Sequence, residues 1–369
     1  MFIFILGLTL LGYVYQDADS LLVTGNDSLI ICGTHTYNIK IHLTGNSRVI
    51  VRPWNNTDTT GVLYLSAPVI YIHDSVRVGH AAGYGYSGGT TSHPNGYGPG
   101  YGRAGTSGGG GGGGFGGSGG SGGDTNPGSG GPAYGSPSDT VVAMGSGGGA
   151  GRLSEVEGWG GAGAGLLAFN GRKIIIDTSE ILACGGQGSD GATEAGGGGS
   201  GGAIRITGDS ITLRGSSIAA QGGNGGSAEF GGGGGGGGGR IKVFYRAQLD
   251  TVGMQWNVTG GGGGDGDYGN GENGQNGTIF ISPATGQAEL SGYALLGWRI
   301  YPNPAGTAFT IQTSAIPARL EIFDIAGRVV KEIRLTRFYS TIDHAGFSPG
   351  VYFLKIHGNY FTEKLVIVR

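Results

Sequence analysis

Apolar and polar residues alternate in short bursts along this chain, with the period of two that marks a half-buried strand. Residues 17–78 carry such runs at Tyr37–Leu43 and Val49–Val51, broken by Gly-Asn and Pro. Further along, apolar islands recur and align. Gly61-Val-Leu-Tyr-Leu-Ser matches Gly165-Leu-Leu-Ala-Phe-Asn, Gly202-Ala-Ile-Arg-Ile-Thr, Gly239-Arg-Ile-Lys-Val-Phe and Gly277-Thr-Ile-Phe-Ile-Ser. The leading glycines are 104, 37, 37 and 38 residues apart. A steady interval near 37 is a structural repeat, and the interval of 104 is one repeat with a long insertion at about 83–160.

Two columns of the aligned islands are purely apolar and should face inward: Leu63, Leu167, Ile204, Ile241, Ile279 and Leu65, Phe169, Ile206, Val243, Ile281. The column between them, Tyr64, Ala168, Arg205, Lys242 and Phe280, is mixed and reads as an outward face. Later segments repeat too, at Ile70–Ile72, Ile174–Ile176 and Ile211–Leu213, then at Val76, Ile181, Ile218 and Trp256. Each repeat thus offers three short strands and one glycine-rich excursion, and it buries its apolar stripe by stacking like strands on like. The pattern predicts an all-β chain over residues 17–285, a parallel β-solenoid. The usual crossover rule makes it a right-handed β-helix. About four to five coils are expected, with residues 20–60 capping one end and the segment after Ile281 the other.

Composition changes this picture in one respect. Glycine supplies 88 of 369 residues, and 74 of them fall within residues 79–277. Gly108–Gly114 and Gly231–Gly239 are unbroken runs. Glycine loses the most backbone entropy on ordering. The runs are therefore either solvated loops or extended polyglycine II-like strands whose amides bond to neighbours. Several runs leave one side of the solenoid in parallel, which favours a partly ordered bundle.

Charge adds little. The net charge is −3, too weak a field to hold nucleic acid. Residues 298–369 carry nine Lys/Arg and five Asp/Glu, against 13 and 20 in the remainder, which supports a two-part chain. Residues 1–16 are uncharged and fit the apolar core of a signal peptide, with a buried first strand as the competing reading. Cys32 and Cys184 fit no zinc spacing, and the sequence leaves their pairing open.

After a linker at 286–297, residues 298–369 read as a small antiparallel β-sandwich built from hairpins. Leu320-Glu-Ile-Phe-Asp-Ile turns at Ala326-Gly327 and returns as Arg328-Val-Val-Lys-Glu-Ile. Val351-Tyr-Phe-Leu-Lys-Ile returns as Phe361 to Val368. These residues carry a family resemblance, in order and at the C-terminus: Tyr301-Pro302-Asn303-Pro304, Phe309-Thr-Ile, Ile322-Phe-Asp-Ile-Ala-Gly327, Ile342-Asp, Pro349-Gly350-Val351-Tyr352 and Glu363-Lys364-Leu-Val-Ile-Val-Arg369. The stretch resembles the type A C-terminal sorting domain of proteins exported by the type IX (Por) secretion system. Ala305-Gly306 departs from that pattern, where an aromatic residue is common. The resemblance implies a true signal peptide and a secreted, cell-surface location. It also implies the outer-membrane secretion and sorting machinery as partners, and attachment to surface polysaccharide. More loosely, the body resembles repeats of extracellular glycine-rich β-helical proteins, which names an architecture.

Candidate chemistry is sparse. Gly116-Gly-Ser118-Gly-Gly120 fits G-x-S-x-G without the strand–elbow–helix context, and the glycine motifs of nucleotide sites occur outside any βαβ unit. The histidines form no i,i+4 pair, and His35 and His42 read as ordinary strand or turn residues. Asp265, Asp267, Asn270 and Glu272 put oxygen ligands at short spacing in a glycine loop, a candidate Ca²⁺ site set against a plain solvated loop. Tyr84, Tyr86, Tyr97 and Tyr101, with Phe115 and Tyr134, either contact a glycan or protein ligand or pack onto the glycine strands. Asp177, Glu180 and Asp209 form no evident catalytic pair, so no catalytic residue and no cofactor is expected. The sequence therefore reads as a secreted structural or adhesive surface protein. The alternatives are a polysaccharide-active lyase or hydrolase, and an ice- or surface-binding glycine-rich protein.

Overall fold

The computed structural model describes residues 13–56, 60–151, 158–283, 299–301, 303–306, 308–312, 318–335, 339–343, 346–356 and 362–368. The chain divides into two compact units that meet in sequence at Thr285 and Gly286. Among the described residues, all regular structure in both is β.

The first unit is a stack of parallel strands in two sheets, solenoid-like in its topology. In the first sheet Leu166–Asp177, Ala203–Arg214, Arg240–Asp250 and Thr278–Pro283 pair in parallel in that order. Val62–Ser66 and Val69–Ile72 pair with the two halves of Leu166–Asp177. The second sheet has six strands in chain order, Ser28–Ile31, Arg48–Val51, Arg77–His80, Glu180–Ala183, Ser217–Ala219 and Gln255–Asn257, one per coil. The aligned islands hold their register: Leu63 lies beside Leu167, Leu167 beside Ile204, and Ile204 beside Ile241.

Four expectations need correcting. The first two strands of each later repeat are one long strand, with the inward parity changing at Gly171 and Gly208. A Cβ on Gly208 would lie 2.7 Å from the Gly171 carbonyl oxygen of the coil below, so the bend requires glycine there. Second, residues 20–51 extend the stack instead of capping it. Ser20 pairs with Lys40 and Lys40 with Val69, so these coils close in as few as 20 residues. They have no glycine excursion, which hides them from a 37-residue repeat. The stack ends instead on an antiparallel strand, Val14–Gln16, against Leu21–Val23. The apolar segment before it lies outside the described residues. Third, Ile279 and Ile281 are each 42% exposed, because Thr278–Pro283 is the last strand of the stack. The fourth concerns the mixed column. Ala168 and Lys242 are 0% and 1% exposed, so that face is covered.

What covers it is the segment 134–144. Val142, Ala143 and Met144 pack with Phe115, Leu166, Ala168 and Ala203. Cations on the sheet grip its backbone. Lys242 Nζ donates to the carbonyls of Asp139 (2.9 Å) and Val141 (2.6 Å), and pairs with Asp139 Oδ1 at 2.8 Å. An Arg205 guanidinium nitrogen donates to Thr140 O at 2.7 Å, and Arg240 donates to Tyr134 O at 2.9 Å. Burial pulls the Lys242 ammonium pKa down, and Asp139 opposes the shift.

The glycine excursions form hydrogen-bonded strands with a period of three. Ala195, Gly196 and Gly197 donate to Gly231, Ser189 and Gly149, three different neighbours, at 3.0, 3.0 and 2.8 Å. Gly198, Gly199 and Ser200 then repeat the cycle to Gly234, Gly186 and Ser146. A threefold extended helix has no internal bonds and turns each successive amide toward another neighbour, as observed. The coils that begin at Glu180, Ser217 and Gln255 each send one strand out and one back. Gly199 bonds to Gly186, Gly236 to Gly223 and Gly274 to Gly261, the same link in three coils. Residues 108–131 add strands to this lattice, as in Gly110 to Ala195 and Gly234 to Gly110.

The second unit is an antiparallel sandwich. Arg299–Tyr301, Ala308–Gln312 and Tyr339–Asp343 form one sheet, and Ala318–Phe323, Val329–Leu335, Gly350–Ile356 and Thr362–Ile367 the other. Both contribute to one core, which includes Phe309, Ile311 and Ile342 from the first and Leu320, Leu354, Leu365 and Ile367 from the second.

Candidate functional site

The second sheet of the solenoid presents its outer side as a ladder with one polar side chain per coil. Pairing puts Ser28, Arg48, Arg77, Glu180, Ser217 and Gln255 side by side in successive strands, about 4.8 Å apart. The turns that lead into these strands stack as well. Asn46, Ser75, Thr178, Gly215 and Gly253 all have positive φ, between 46° and 71°. Backbone bonds join them, as in Ser75 N–H to Thr178 O and Thr178 N–H to Arg214 O. Ser179 and Ser216 repeat one cap: each hydroxyl bonds the carbonyl two residues before it.

Three concavities line this side. One, of about 520 Å³, is bounded by Asn46, Arg48, Ser75 and Arg77. The next, of about 400 Å³, shares Ser75, Arg77 and Glu180 with it and runs on to Ser217 and Gln255. The third, of about 310 Å³, lies where the strands pass into the glycine lattice, between Gln187, Gln221, Asn224 and Thr259. There the side chains recur every third residue, as the threefold strand dictates. They bond laterally: Gln221 Nε2 to Thr259 Oγ1 at 3.4 Å, Gly262 N–H to Asn224 Oδ1 at 2.9 Å, and Asp265 N–H to Ser227 Oγ at 3.1 Å. The lining is thus mostly hydroxyl and amide, with buried Leu182, Cys184 and Ala219 as an apolar strip.

The tyrosines divide between packing and surface. Tyr84 is 1% exposed and donates to Leu182 O at 3.2 Å, and burial raises its phenol pKa well above the ordinary value. Phe115 and Tyr134 pack at 4.9 Å, with the Arg240 guanidinium 5.5 Å from the Phe115 ring. Tyr86 and Tyr97 sit half-buried against Trp54, at 4.9 and 5.7 Å, and Tyr97 also meets His93 at 4.2 Å. Tyr101 is exposed. The sequence pattern missed Trp54 because it comes from a separate loop, and it passed over His93, four residues before Tyr97 in the same stretch, by following only the tyrosines and Phe115.

The four candidate calcium ligands are not brought together. Asn270 Oδ1 accepts from Gly266 N–H, and the Glu272 carboxylate accepts from Ser121 N–H at 3.2 Å. Among the described residues, no three metal-ligating side chains of His, Cys, Asp or Glu converge. Cys32 and Cys184 are both free thiols. Glu180 pairs with Arg77 at 2.6 Å and Asp209 with Arg246 at 3.3 Å. The coil register does assemble one group the sequence left scattered. His42 Nε2 lies 2.8 Å from His73 Nε2, and His73 Nδ1 lies 2.7 Å from Asp74 Oδ2, which also accepts from Thr44 at 2.9 Å.

The sorting residues of the second unit occupy structural positions. Asn303 clamps the last strand: its Nδ2 donates to Lys364 O at 2.6 Å, and its Oδ1 accepts from Val366 N–H at 2.9 Å. Ala305 bonds the same strand and is fully buried, which suits a small side chain after Pro304. Gly327, at φ 78°, closes the turn whose amides the Asp324 carboxylate accepts. Gly350 opens a strand in which Val351 faces out and Tyr352 in, its hydroxyl donating to Ser348 O at 2.8 Å. Lys364 is exposed. Pro302 lies outside the described residues.

Residues 299–368 match the secretion system C-terminal sorting domain. That domain marks the chain as secreted, cell-surface cargo of a type IX secretion system. A 70-residue stretch of the chain is 34% identical to Beta-agarase A of Zobellia galactanivorans. The match covers 18% of this chain and 13% of the agarase, so the chain spans about an eighth of that relative.

Proposed function

We propose that this protein is a structural and adhesive component of the cell surface, whose solenoid docks glycans along the outer side of its second sheet. The coil is right-handed in this reading, by the crossover rule. One observation carries the proposal: two concavities that share Ser75, Arg77 and Glu180, and a third where the strands pass into the glycine lattice, offer hydroxyl and amide groups repeated at the coil spacing. A repeating polymer of hydroxylated units is the ligand such an array matches, and the half-buried Trp54, Tyr86 and Tyr97 rings suit sugar stacking. The body acts as a binding scaffold without turnover. Glu180, Asp209 and Asp250 are each held by an arginine, whereas glycoside hydrolysis needs two carboxylates across one bond. The sorting machinery of the outer membrane is the delivery partner.

The test is a glycan array probed with the full chain, followed by Asn224→Ala and Tyr97→Ala. Loss of binding with melting unchanged supports the reading, and no glycan bound by the full chain sinks it. A polysaccharide-active body is the second reading, favoured by the relative named as an agarase. A reducing-end assay on the same polysaccharides decides it, because turnover abolished by a change at Glu180 or Asp209 would replace docking with catalysis. The regular glycine lattice also keeps an ice- or surface-binding role in view, for which thermal hysteresis is the measurement.

A further inference from the structure

Charge singles out one end of this ladder. Arg48 and Arg77 are directly opposite in adjacent strands, and like charges so placed repel. Arg77 is neutralised: its Nε donates to Glu180 Oε2 at 2.6 Å from the next coil. Arg48 is exposed and forms no ion pair among the described residues. Its guanidinium borders the 520 Å³ concavity, whose other walls are the Arg77–Glu180 pair and the uncharged Asn26, Ser28, Asn46 and Ser75. Beside this polar column lies Ile30, 57% exposed, with Ile50 next to it in the following strand. The site therefore combines an unanswered cation, short hydroxyl and amide side chains, and an apolar strip.

We infer that the concavity between Arg48 and Arg77 binds the acidic group of an anionic saccharide, a carboxylate or a sulfate ester on a sugar unit. This rests on the glycan-docking reading and names the class of glycan. Guanidinium groups bond carboxylate and sulfate oxygens in a two-pronged fashion. An anion seated there relieves the repulsion between the arginines. The hydroxyls and amides take the sugar's hydroxyls, and Ile30 and Ile50 take its C–H face. Glu180 competes with the ligand for Arg77 and closes the anion site on its far side.

Calorimetry with the full chain and three oligosaccharides tests this: a uronic acid oligomer, a sulfated oligomer and a neutral one. At least one acidic oligomer binds at least tenfold tighter than the neutral one, and the advantage shrinks as salt rises. Whichever acidic oligomer binds identifies the anion as carboxylate or sulfate. Arg48→Gln removes the advantage without moving the melting temperature. Glu180→Gln, which frees Arg77, tightens acidic binding several-fold, an effect a purely structural ion pair would not produce. Equal affinity for acidic and neutral oligomers overturns the inference and leaves glycan docking standing. No binding of any oligomer overturns both. Binding of duplex DNA as tight as that of the acidic oligomer, and equally dependent on Arg48, overturns it in favour of a general polyanion patch.

Discussion

Replacing single glycines with alanine separates an ordered glycine lattice from flexible loops, and two positions give opposite expectations. A Cβ on Gly235 would lie 2.1 Å from Gly261 O and 2.6 Å from its carbonyl carbon. Real Cβ contacts stay beyond 3.0 Å, so the two strands must part by about 0.9 Å. Gly235 donates to Glu272 O at 2.8 Å and accepts from Gly120 at 2.8 Å, and Gly261 donates to Gly236 O at 2.8 Å. A shift of that size carries one or two of these bonds out of range, at about 1 kcal/mol each. Overpacking adds about 1–3 kcal/mol. Alanine's stiffer unfolded chain returns about 0.4–1 kcal/mol. Gly235→Ala should therefore destabilise by about 2–4 kcal/mol. At Gly262 the Cβ would meet only the Asn224 and Asn273 side-chain oxygens, at 3.7 and 3.8 Å. There the unfolded-state effect stands alone, and Gly262→Ala should stabilise by about 0.4–1 kcal/mol.

The assay is thermal melting by calorimetry, with hydrogen exchange on the same variants. Gly235→Ala should lower the transition by about 4–8 °C and speed exchange of the amides at 232–238. Gly262→Ala should leave both unchanged or slightly better. Two variants with the same small stabilisation would mean that the runs are solvated loops, and the threefold lattice would be refuted.

Three further outcomes follow from the structure. Asp139→Ala leaves the 1%-exposed Lys242 without its carboxylate, so it should cost about 1–3 kcal/mol and open 134–144 to limited proteolysis; an unchanged cleavage pattern would show that the sheet cations do not hold the segment. His42 has its pKa lowered by burial, by His73 and by Lys40, against a smaller opposing pull from Asp74. The unfolded chain therefore takes up a proton first. Stability present above about pH 6.5 is lost as pH falls toward the lower folded value. Urea melts at pH 7.5 and 5.5 should show that loss, with a smaller loss in His42→Gln; equal losses would disprove it. Removing residues 299–368, the sorting domain, should keep the protein off the cell surface, as read by surface labelling of the producing cells; normal display of the truncated chain would contradict its role.

The two-residue alternation carried most of the fold. The aligned islands are coil neighbours in the expected register because burying Leu63, Leu167, Ile204 and Ile241 in one line leaves few other solutions. The short coils at 20–51 escaped notice because a repeat is recognised by its spacing, and these coils lack the glycine excursion that sets the spacing near 37. The covered face escaped for another reason. Arg205 and Lys242 look like solvent-facing residues, and only the tertiary placement of Asp139 to Val141 supplies their partners. The alignment of Val76, Ile181, Ile218 and Trp256 reached the second sheet two residues out at its first member, since Ile181 lies beside Val78, and so the pairing of Arg77 with Glu180 did not emerge from it. The cluster of Trp54, Tyr86 and Tyr97 could not emerge from any alignment, since it depends on how loops meet.

The sheets also explain how so much glycine can be held in order. An isolated threefold strand makes no internal hydrogen bonds, and each glycine fixed costs more entropy than any other residue. Here, in the three coils that follow Glu180, Ser217 and Gln255, the outward strand starts from the second sheet and the returning strand ends in the first. Glu180–Ala183 leads out, and the return ends at Ala203, a pattern repeated from Ser217–Ala219 to Arg240 and from Gln255–Asn257 to Thr278. The β ladders thus hold the spacing and register of these glycine strands at both ends. The links Gly199 to Gly186, Gly236 to Gly223 and Gly274 to Gly261 then fall at equivalent places in three coils. In this arrangement the apolar coil is the template and the glycine lattice is its extension. Side chains at every third residue inherit the coil spacing, which is why Gln221 meets Thr259, and Asn224 and Ser227 meet Gly262 and Asp265, beyond the apolar strip of Leu182, Cys184 and Ala219.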